Sequence, residues 1–218
     1  MINLNSKNGQ KLMTAGNWIW SLFTINVSFF LINFSVILTA IILSSLPMSA
    51  SYYVVLFVTG LMLSLFTIPS LTASFSAVQE WQVNGSGSFF KYFFKKWFES
   101  LRDYKVNFGF GAVGIVMIAL NKVASGNTQW HTVVLTFSFV YLMALVAATF
   151  QSATKESDNT LTLLVSKPFL TIISVIVFLI LILINFVLQL AFLSVICSIS
   201  LATYVSYRLL GGRMEKND

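Results

Sequence analysis

Residues 169–207 constrain the fold more than any other part of the chain, because these 39 residues include no charged side chain. A straight helix of this length would extend for about 60 Å, roughly twice the hydrocarbon thickness of a bilayer. The run must therefore fold back on itself. The amides of Asn185 and Gln189 interrupt it, so we predict a tight turn at 185–189 that separates two membrane-spanning helices.

The whole chain has the composition of an integral membrane protein. Of its 218 residues, 57% are hydrophobic and only 9% are charged, whereas soluble proteins carry about a quarter charged residues. Four more apolar segments precede the long run, and the first of them is too long for a signal peptide. We predict an all-α, polytopic membrane bundle that forms a single domain over residues 1–218. Its six predicted transmembrane helices are 18–43, 52–79, 106–120, 130–151, 169–185 and 189–207.

The basic residues are distributed unevenly among the predicted loops. If both termini lie in the cytoplasm, every one of the thirteen Lys and Arg residues except Lys122 falls on a cytoplasmic segment. Lys and Arg collect on the cytoplasmic loops of membrane proteins, and an odd number of spans would move the C-terminal cations to the other side. We therefore predict a multi-pass protein with its N-terminus and its C-terminus in the cytoplasm.

The predicted helix cores contain no Asp, Glu, Lys, Arg or His. Ionisable residues inside the membrane mark proton relays and charged-substrate paths, and an enzyme needs an acid, a base or an activated nucleophile. The one cysteine, Cys197, and the one histidine, His131, do not make a metal site or a nucleophile pair. We predict no catalytic residue, no metal and no cofactor, and we rate a membrane enzyme as the least favoured class.

Two asparagines, Asn26 and Asn33, lie seven residues apart in the first predicted span and share one helix face. They could line a polar path for a neutral solute such as a sugar. They could instead form hydrogen bonds between helices, each contributing about 1 kcal/mol or less. We favour the second interpretation.

The second predicted span contains Pro69. Its ring removes one backbone hydrogen bond of the helix, leaves the carbonyl of Leu65 without that bond, and should kink the helix. Small residues at spacings of four surround it, and such residues allow helices to approach closely. A kinked helix of this kind could serve as a hinge or as a docking face for a partner.

Residues 88–105 predict an amphipathic helix on the cytoplasmic membrane surface, between the second and third spans. Its large apolar face and its basic opposite face are typical of helices that lie in the bilayer interface. Aromatic rings settle at the headgroup level there, and cations gain from anionic lipids. One side of the wheel carries Phe90, Phe93, Phe94, Trp97, Leu101 and Tyr104, and the other carries Lys91, Lys95, Glu99, Arg102 and Lys105.

This segment could bind lipid headgroups, or it could dock another protein with its polar face. Aromatic residues between lysines can also bind single-stranded nucleic acid. Here the aromatic residues segregate to one face of a segment tethered between two membrane helices, so we predict no nucleic-acid partner. The candidate docking residues are Lys91, Lys95, Trp97 and Arg102, together with Trp81 at the end of the second span.

Three motifs carry a family resemblance. They are "NWIWSLFTIN" at 17–26, "TIPSLTASFSAVQEW" at 67–81 and "SFFKYFFKKWFESLRDYKVNFGFG" at 88–111. In their order and spacing they resemble the YesL-like family of small bacterial integral membrane proteins, a family of unknown function. Ser70 departs from the pattern, since another small residue, such as alanine, is expected after the proline.

The resemblance implies a place in the bacterial cytoplasmic membrane. It also implies an accessory role in carbohydrate uptake, because members are commonly encoded beside sugar importers of the ABC type. We therefore expect a non-enzymatic accessory or assembly subunit that contacts membrane lipids and an ABC permease or ATPase subunit. The alternative is a stand-alone transporter or channel for a small neutral solute.

Overall fold

The computed structural model describes residues 7–155, 160–187 and 197–211, and every regular element within these ranges is a helix. Helices form here because apolar surroundings offer no water to the backbone, so each segment must pair its own N–H and C=O groups. The helices are α1 (Lys7–Ser45), α2 (Ala50–Met62), α3 (Ile68–Asn84), α4 (Phe90–Ser100), α5 (Tyr104–Ala124), α6 (Thr128–Thr154), α7 (Thr160–Ser166), α8 (Pro168–Val187) and α9 (Ile199–Leu210).

Four stretches of helix are long and apolar enough to cross a membrane. They are α1, the continuous pair α2–α3, α5 and α6, and they contain the first four predicted spans. A fifth crossing is formed by α7 and α8 if this pair, which bends by 99°, is one broken span. The described residues therefore hold four or five candidate spans, rather than the six that were predicted.

The turn predicted at 185–189 is wrong in its first half. Helix α8 continues through Asn185 as far as Val187, because an apolar run keeps its backbone hydrogen bonds within the helix even where an amide side chain occurs. Residues 188–196, including Gln189, lie outside the described residues. The described part of the sixth predicted span is α9, which has 12 residues.

Lys122 lies at one end of the bundle, and Lys167 lies at the opposite end. At one end, Lys122 Nζ donates to the carbonyl of Ser44 at 3.5 Å. At the other end, which we call the inner end, the N–H of Gly87 donates to Ser21 Oγ at 2.9 Å. Lys167 Nζ donates to the carbonyl of Leu210 at the inner end as well, at 2.7 Å. This separation of Lys122 from other basic residues agrees with the predicted charge asymmetry, while the orientation in the cell stays a prediction.

The core of the bundle lies around α3, which packs against α1, α6 and α9. Its fully buried side chains include Ile25, Phe75, Val78 and Phe150. Many large apolar side chains on the outside of the helices remain exposed, such as Leu31, Phe34 and Ile41 on α1. An apolar exterior of this kind is what a lipid environment favours.

A π-helical turn, Leu63–Thr67, joins α2 to α3 immediately before Pro69. The N–H of Ile68 bonds to the carbonyl of Leu63, five residues earlier. Proline cannot donate a backbone hydrogen bond, and π-helical turns are common at such breaks in a helix. Where the sequence predicts a kink at Pro69, the structure therefore has a π-helical turn just before the proline.

Helix α5 approaches α2 and the π-helical turn at glycines. A Cβ atom added at Gly111 would collide with the hydroxyl of Ser64, and one added at Gly60 would collide with Ile115. Gly60 and Ser64 are among the small residues before Pro69 whose spacing of four predicted close helix contacts.

Candidate functional site

Asn33 is buried and joins α1 to both sides of Pro69. Its Nδ2 donates to Ser70 Oγ at 2.7 Å and to the carbonyl of Phe29 at 2.9 Å. Its Oδ1 accepts a hydrogen bond from Thr67 Oγ1 at 2.6 Å. Since Thr67 ends the π-helical turn and Ser70 follows the proline, this single amide binds the helix on each side of the break.

Asn26 is fully buried and connects a different pair of helices. Its Oδ1 accepts a hydrogen bond from the backbone N–H of Ser200 at 3.0 Å, which ties α1 to the start of α9. Neither Asn26 nor Asn33 lines any of the three cavities described below. The geometry thus supports hydrogen bonding between helices as their role.

Replacing Asn33 with aspartate is expected to destabilise the bundle more than replacing it with leucine. The carboxylate loses the donors to Ser70 and Phe29, and the charge that it brings into the membrane costs about 2.5–3.5 kcal/mol in addition. Leucine only removes the three hydrogen bonds, at a total cost of about 2 kcal/mol. The stability losses of both variants are measured by thermal unfolding in detergent. Asn17→Asp, at an exposed position of α1, is the control. Equal losses for the two variants would contradict a role for the amide donors.

Trp81 lies inside an aromatic cluster at the inner end. Its side chain is 6% exposed, and its ring centroid lies 4.9 Å from that of Tyr204, 5.8 Å from Trp18 and 6.4 Å from Phe89. The guanidinium of Arg208 lies 5.1 Å from the Tyr204 ring on the outside of the cluster. A ring packed in this way is not presented to a partner, so the docking role predicted for Trp81 does not fit its position.

Helix α4 is shorter than the amphipathic segment predicted at 88–105. It ends at Ser100, and Tyr104 already begins α5. The turn between them is closed by the side chain of Asn107, which donates to the carbonyl of Ser100 at 2.9 Å. Residues 104 and 105 thus belong to α5, a candidate membrane-spanning helix, and the placement of α4 at a bilayer surface stays a prediction.

The bundle covers only part of the aromatic face of α4. Phe93 is fully buried, and Trp97 is half-buried with its ring stacked on Phe66 at 6.2 Å. Phe94 and Phe98 remain 39% and 66% exposed, although Phe94 was expected on the same apolar face as Phe93. The side of α4 that faces the bundle therefore runs through Phe93, Trp97 and Ser100. Phe94 and Phe98 lie beside it and remain exposed.

The exposed side of α4 and of the turn that follows it combines aromatic and basic residues, and we call it the outer stripe. Three of the predicted docking residues lie on it, whereas Trp97 and Trp81 pack inward. The outer stripe consists of Lys91, Phe94, Lys95, Phe98 and Arg102.

The other polar side of α4 faces the bundle. Lys96 Nζ forms an ion pair with Glu99 Oε2 at 2.8 Å, and this hydrogen bond holds the pKa of the Glu99 carboxyl below its usual range. The pKa of the Tyr92 phenol is raised to about 12, because burial and its hydrogen-bonded neighbour Glu80 both disfavour the ionised form. The contact between Tyr92 and Glu80 attaches α4 to α3, whereas the pair of Lys96 and Glu99 lies within α4.

A polar cleft of about 430 Å³ lies between α3, α4 and the end of α6. Within it, Ser152 Oγ donates to Asp103 Oδ2 at 3.2 Å. The hydroxyl of Ser100 is buried and has no hydrogen-bond partner among the described residues. Arg102 and Lys155 lie at the exposed side of the cleft, and neither forms an ion pair with a described residue.

Two further cavities continue from this cleft towards the middle of the bundle. The first, of about 310 Å³, shares Thr72, Asp103 and Ser152 with the cleft. The second, of about 450 Å³, is mainly apolar and lies between α3, α5, α6 and α8, with Thr149 on the border of both. Sequence reasoning missed all three, because their walls come from helices that are far apart in the chain.

The long apolar helices indicate an all-helical membrane protein with four or five candidate spans in its described part. Comparisons of this chain with protein-family models, curated proteins and solved structures find no match. The resemblance to the YesL-like family therefore stays a hypothesis based on the three motifs. Among the residues that the structure describes, no group of three or more His, Cys, Asp and Glu side chains is placed to hold a metal ion.

Proposed function

We propose that this protein is a non-enzymatic membrane subunit that binds a partner complex through the outer stripe of α4. The observation that carries this proposal is the division of α4 into two parts. Phe93 and Trp97 hold the helix on the bundle, while Lys91, Phe94 and Lys95 point away from it. A rigid helix with exposed aromatic anchors is a typical docking element, because little conformational freedom is lost when it binds.

The partner that we propose is the permease or the ATPase subunit of a carbohydrate ABC importer in a bacterial cytoplasmic membrane. This part of the proposal depends on the resemblance to the YesL-like family. The chemistry of the outer stripe is compatible with it, since exposed lysines favour an acidic surface and the adjacent Phe94 and Phe98 favour an apolar one. Anionic lipid headgroups would compete for the same lysines.

Reversing the charge of Lys91 and Lys95 to glutamate is expected to reduce recovery of a co-expressed importer complex about thirtyfold, because each of the two cations near an acidic surface contributes about 1 kcal/mol. The measurement is affinity purification in mild detergent, with the permease and the ATPase quantified separately. Lys122→Glu, at the opposite end of the bundle, is the matched control.

Both lysines are exposed, so the double variant should unfold at the temperature of the unchanged protein. Arg102 is left intact in this experiment because it also borders the polar cleft. If the importer subunits are recovered equally with the double variant and with the unchanged protein, the outer stripe is not their docking surface.

A stand-alone transporter for a neutral solute is the second candidate. The chain of adjoining cavities favours it, although the path lies away from Asn26 and Asn33. We rank it second because the innermost cavity is mainly apolar, whereas a sugar needs polar partners along its route. Uptake of a labelled neutral sugar into proteoliposomes that contain only this protein would place this candidate first.

A further inference from the structure

We propose that the polar cleft and the apolar cavity together bind one anionic amphiphile, with a phosphate group in the cleft and an acyl chain in the cavity. This inference goes beyond the proposed docking role and rests on other residues, with the exception of Arg102, which belongs to the outer stripe and also borders the cleft. Two sources of phosphate fit the cleft, an anionic phospholipid and a free phosphate ester, and the apolar cavity favours the phospholipid.

Three cations, Lys96, Arg102 and Lys155, and two carboxylates, Glu99 and Asp103, line the cleft, so its net charge is +1. The ion pair with Glu99 compensates Lys96, and the carboxylate of Asp103 accepts a hydrogen bond from Ser152. Arg102 and Lys155 remain as cations without an ion-pair partner among the described residues. A phosphate between them would receive charge-assisted hydrogen bonds from both side chains.

The buried hydroxyl of Ser100 is the second observation that indicates a ligand. Ser100 is only 6% exposed, lines the cleft, and donates to no described residue. A buried hydroxyl without a partner is unfavourable, and a phosphate oxygen in the cleft would accept its hydrogen bond.

The mainly apolar cavity between α3, α5, α6 and α8 suits an acyl chain. Its polar side chains are already paired, since Tyr141 donates to the carbonyl of Phe110 at 3.0 Å and Asn121 donates to Ser138 at 2.9 Å. The remaining surface offers dispersion contacts only, and the volume of about 450 Å³ lies in the range of ligand pockets. The apolar walls include Leu71, Phe75, Leu145, Val175, Phe178 and Ile182.

The test compares three probes on the full chain in detergent: phosphatidic acid, diacylglycerol with the same chains, and glycerol phosphate. Binding is followed by the thermal shift and by native mass spectrometry. We expect phosphatidic acid to bind tightest. Arg102→Gln with Lys155→Gln should weaken its binding about thirtyfold, because two cations beside the headgroup are lost.

Two variants separate the parts of the proposal. Lys11→Gln with Lys105→Gln removes the same charge from exposed positions of α1 and α5, outside both the cleft and the outer stripe, and should leave the affinity for phosphatidic acid unchanged. Leu142→Trp, at a half-buried wall of the apolar cavity, should weaken phosphatidic acid and leave glycerol phosphate unaffected.

Three results would overturn the inference. Equal weakening by the two double variants would mean that only a general surface charge attracts the lipid. Equal binding of diacylglycerol and phosphatidic acid would exclude the phosphate site. If glycerol phosphate binds as tightly as phosphatidic acid, and Leu142→Trp changes neither, the acyl-chain site is wrong and the phosphate comes from a free ester.

Discussion

Replacing Trp81 with alanine is expected to lower the free energy of unfolding by about 3–5 kcal/mol, the range found when a buried tryptophan or phenylalanine is truncated. The ring packs against Trp18, Phe89 and Tyr204, and therefore connects α3 to α1, α9 and the turn before α4. Truncation would leave a cavity among four segments that cannot all move inward together.

The measurement uses the single thiol of the chain, Cys197, which is partly buried. A dye that fluoresces on reaction with thiols reports unfolding as the protein is heated in detergent. Trp130→Ala is the control, because that side chain is 66% exposed and should lose little stability. A Trp81 variant that unfolds like the control, but no longer recovers the importer, would return Trp81 to the docking role predicted from the sequence.

Replacing Gly111 with alanine is expected to destabilise the protein by about 1–3 kcal/mol, as overpacking of a close contact does. The added methyl group would collide with Ser64 Oγ and come within 3.2 Å of the carbonyl oxygen of Gly60. The hydroxyl of Ser64 donates to that same carbonyl at 2.9 Å, so it cannot turn away without losing its hydrogen bond.

Gly109→Ala provides a control in the same helix. No atom lies within 4 Å of a Cβ atom at Gly109, and alanine is a better helix former than glycine by about 1 kcal/mol, so this variant should be neutral or stabilising. Adding Ser64→Gly to the Gly111 variant should restore part of the loss. Equal effects at positions 109 and 111 would show that α5 does not approach α2 as closely as described.

The hinge predicted at Pro69 would have to work against the hydrogen bonds of Asn33. Thr67 and Ser70 bond to the same amide, so any bending at Pro69 that separates them would break at least one of those bonds. Hydrogen bonds between membrane helices contribute about 1 kcal/mol or less, so they limit such motion without preventing it. The hinge stays a prediction, and Asn33→Leu is the variant that would favour it.

Each of the first four spans predicted from hydropathy lies within a helix that is long and apolar enough to cross a membrane. The cost of leaving backbone groups unpaired in an apolar environment depends only on the local run of residues, so 18–43 and 130–151 could be assigned without any tertiary contact. Periodicity likewise predicted a helix where α4 lies. The same arguments were wrong at Asn185, because the presence of an amide does not determine whether a helix continues or turns.

The sequence by itself determined that this chain is an all-helical membrane protein whose basic residues are distributed asymmetrically. Only the tertiary structure decided that Asn26 bonds to Ser200, that Trp81 is buried, and that α4 turns Phe93 inward and Phe94 outward. The physical reason is the separation along the chain of the residues that interact. Hydropathy and periodicity are properties of neighbouring residues, whereas a hydrogen bond that joins positions 174 residues apart exists only once the helices have packed.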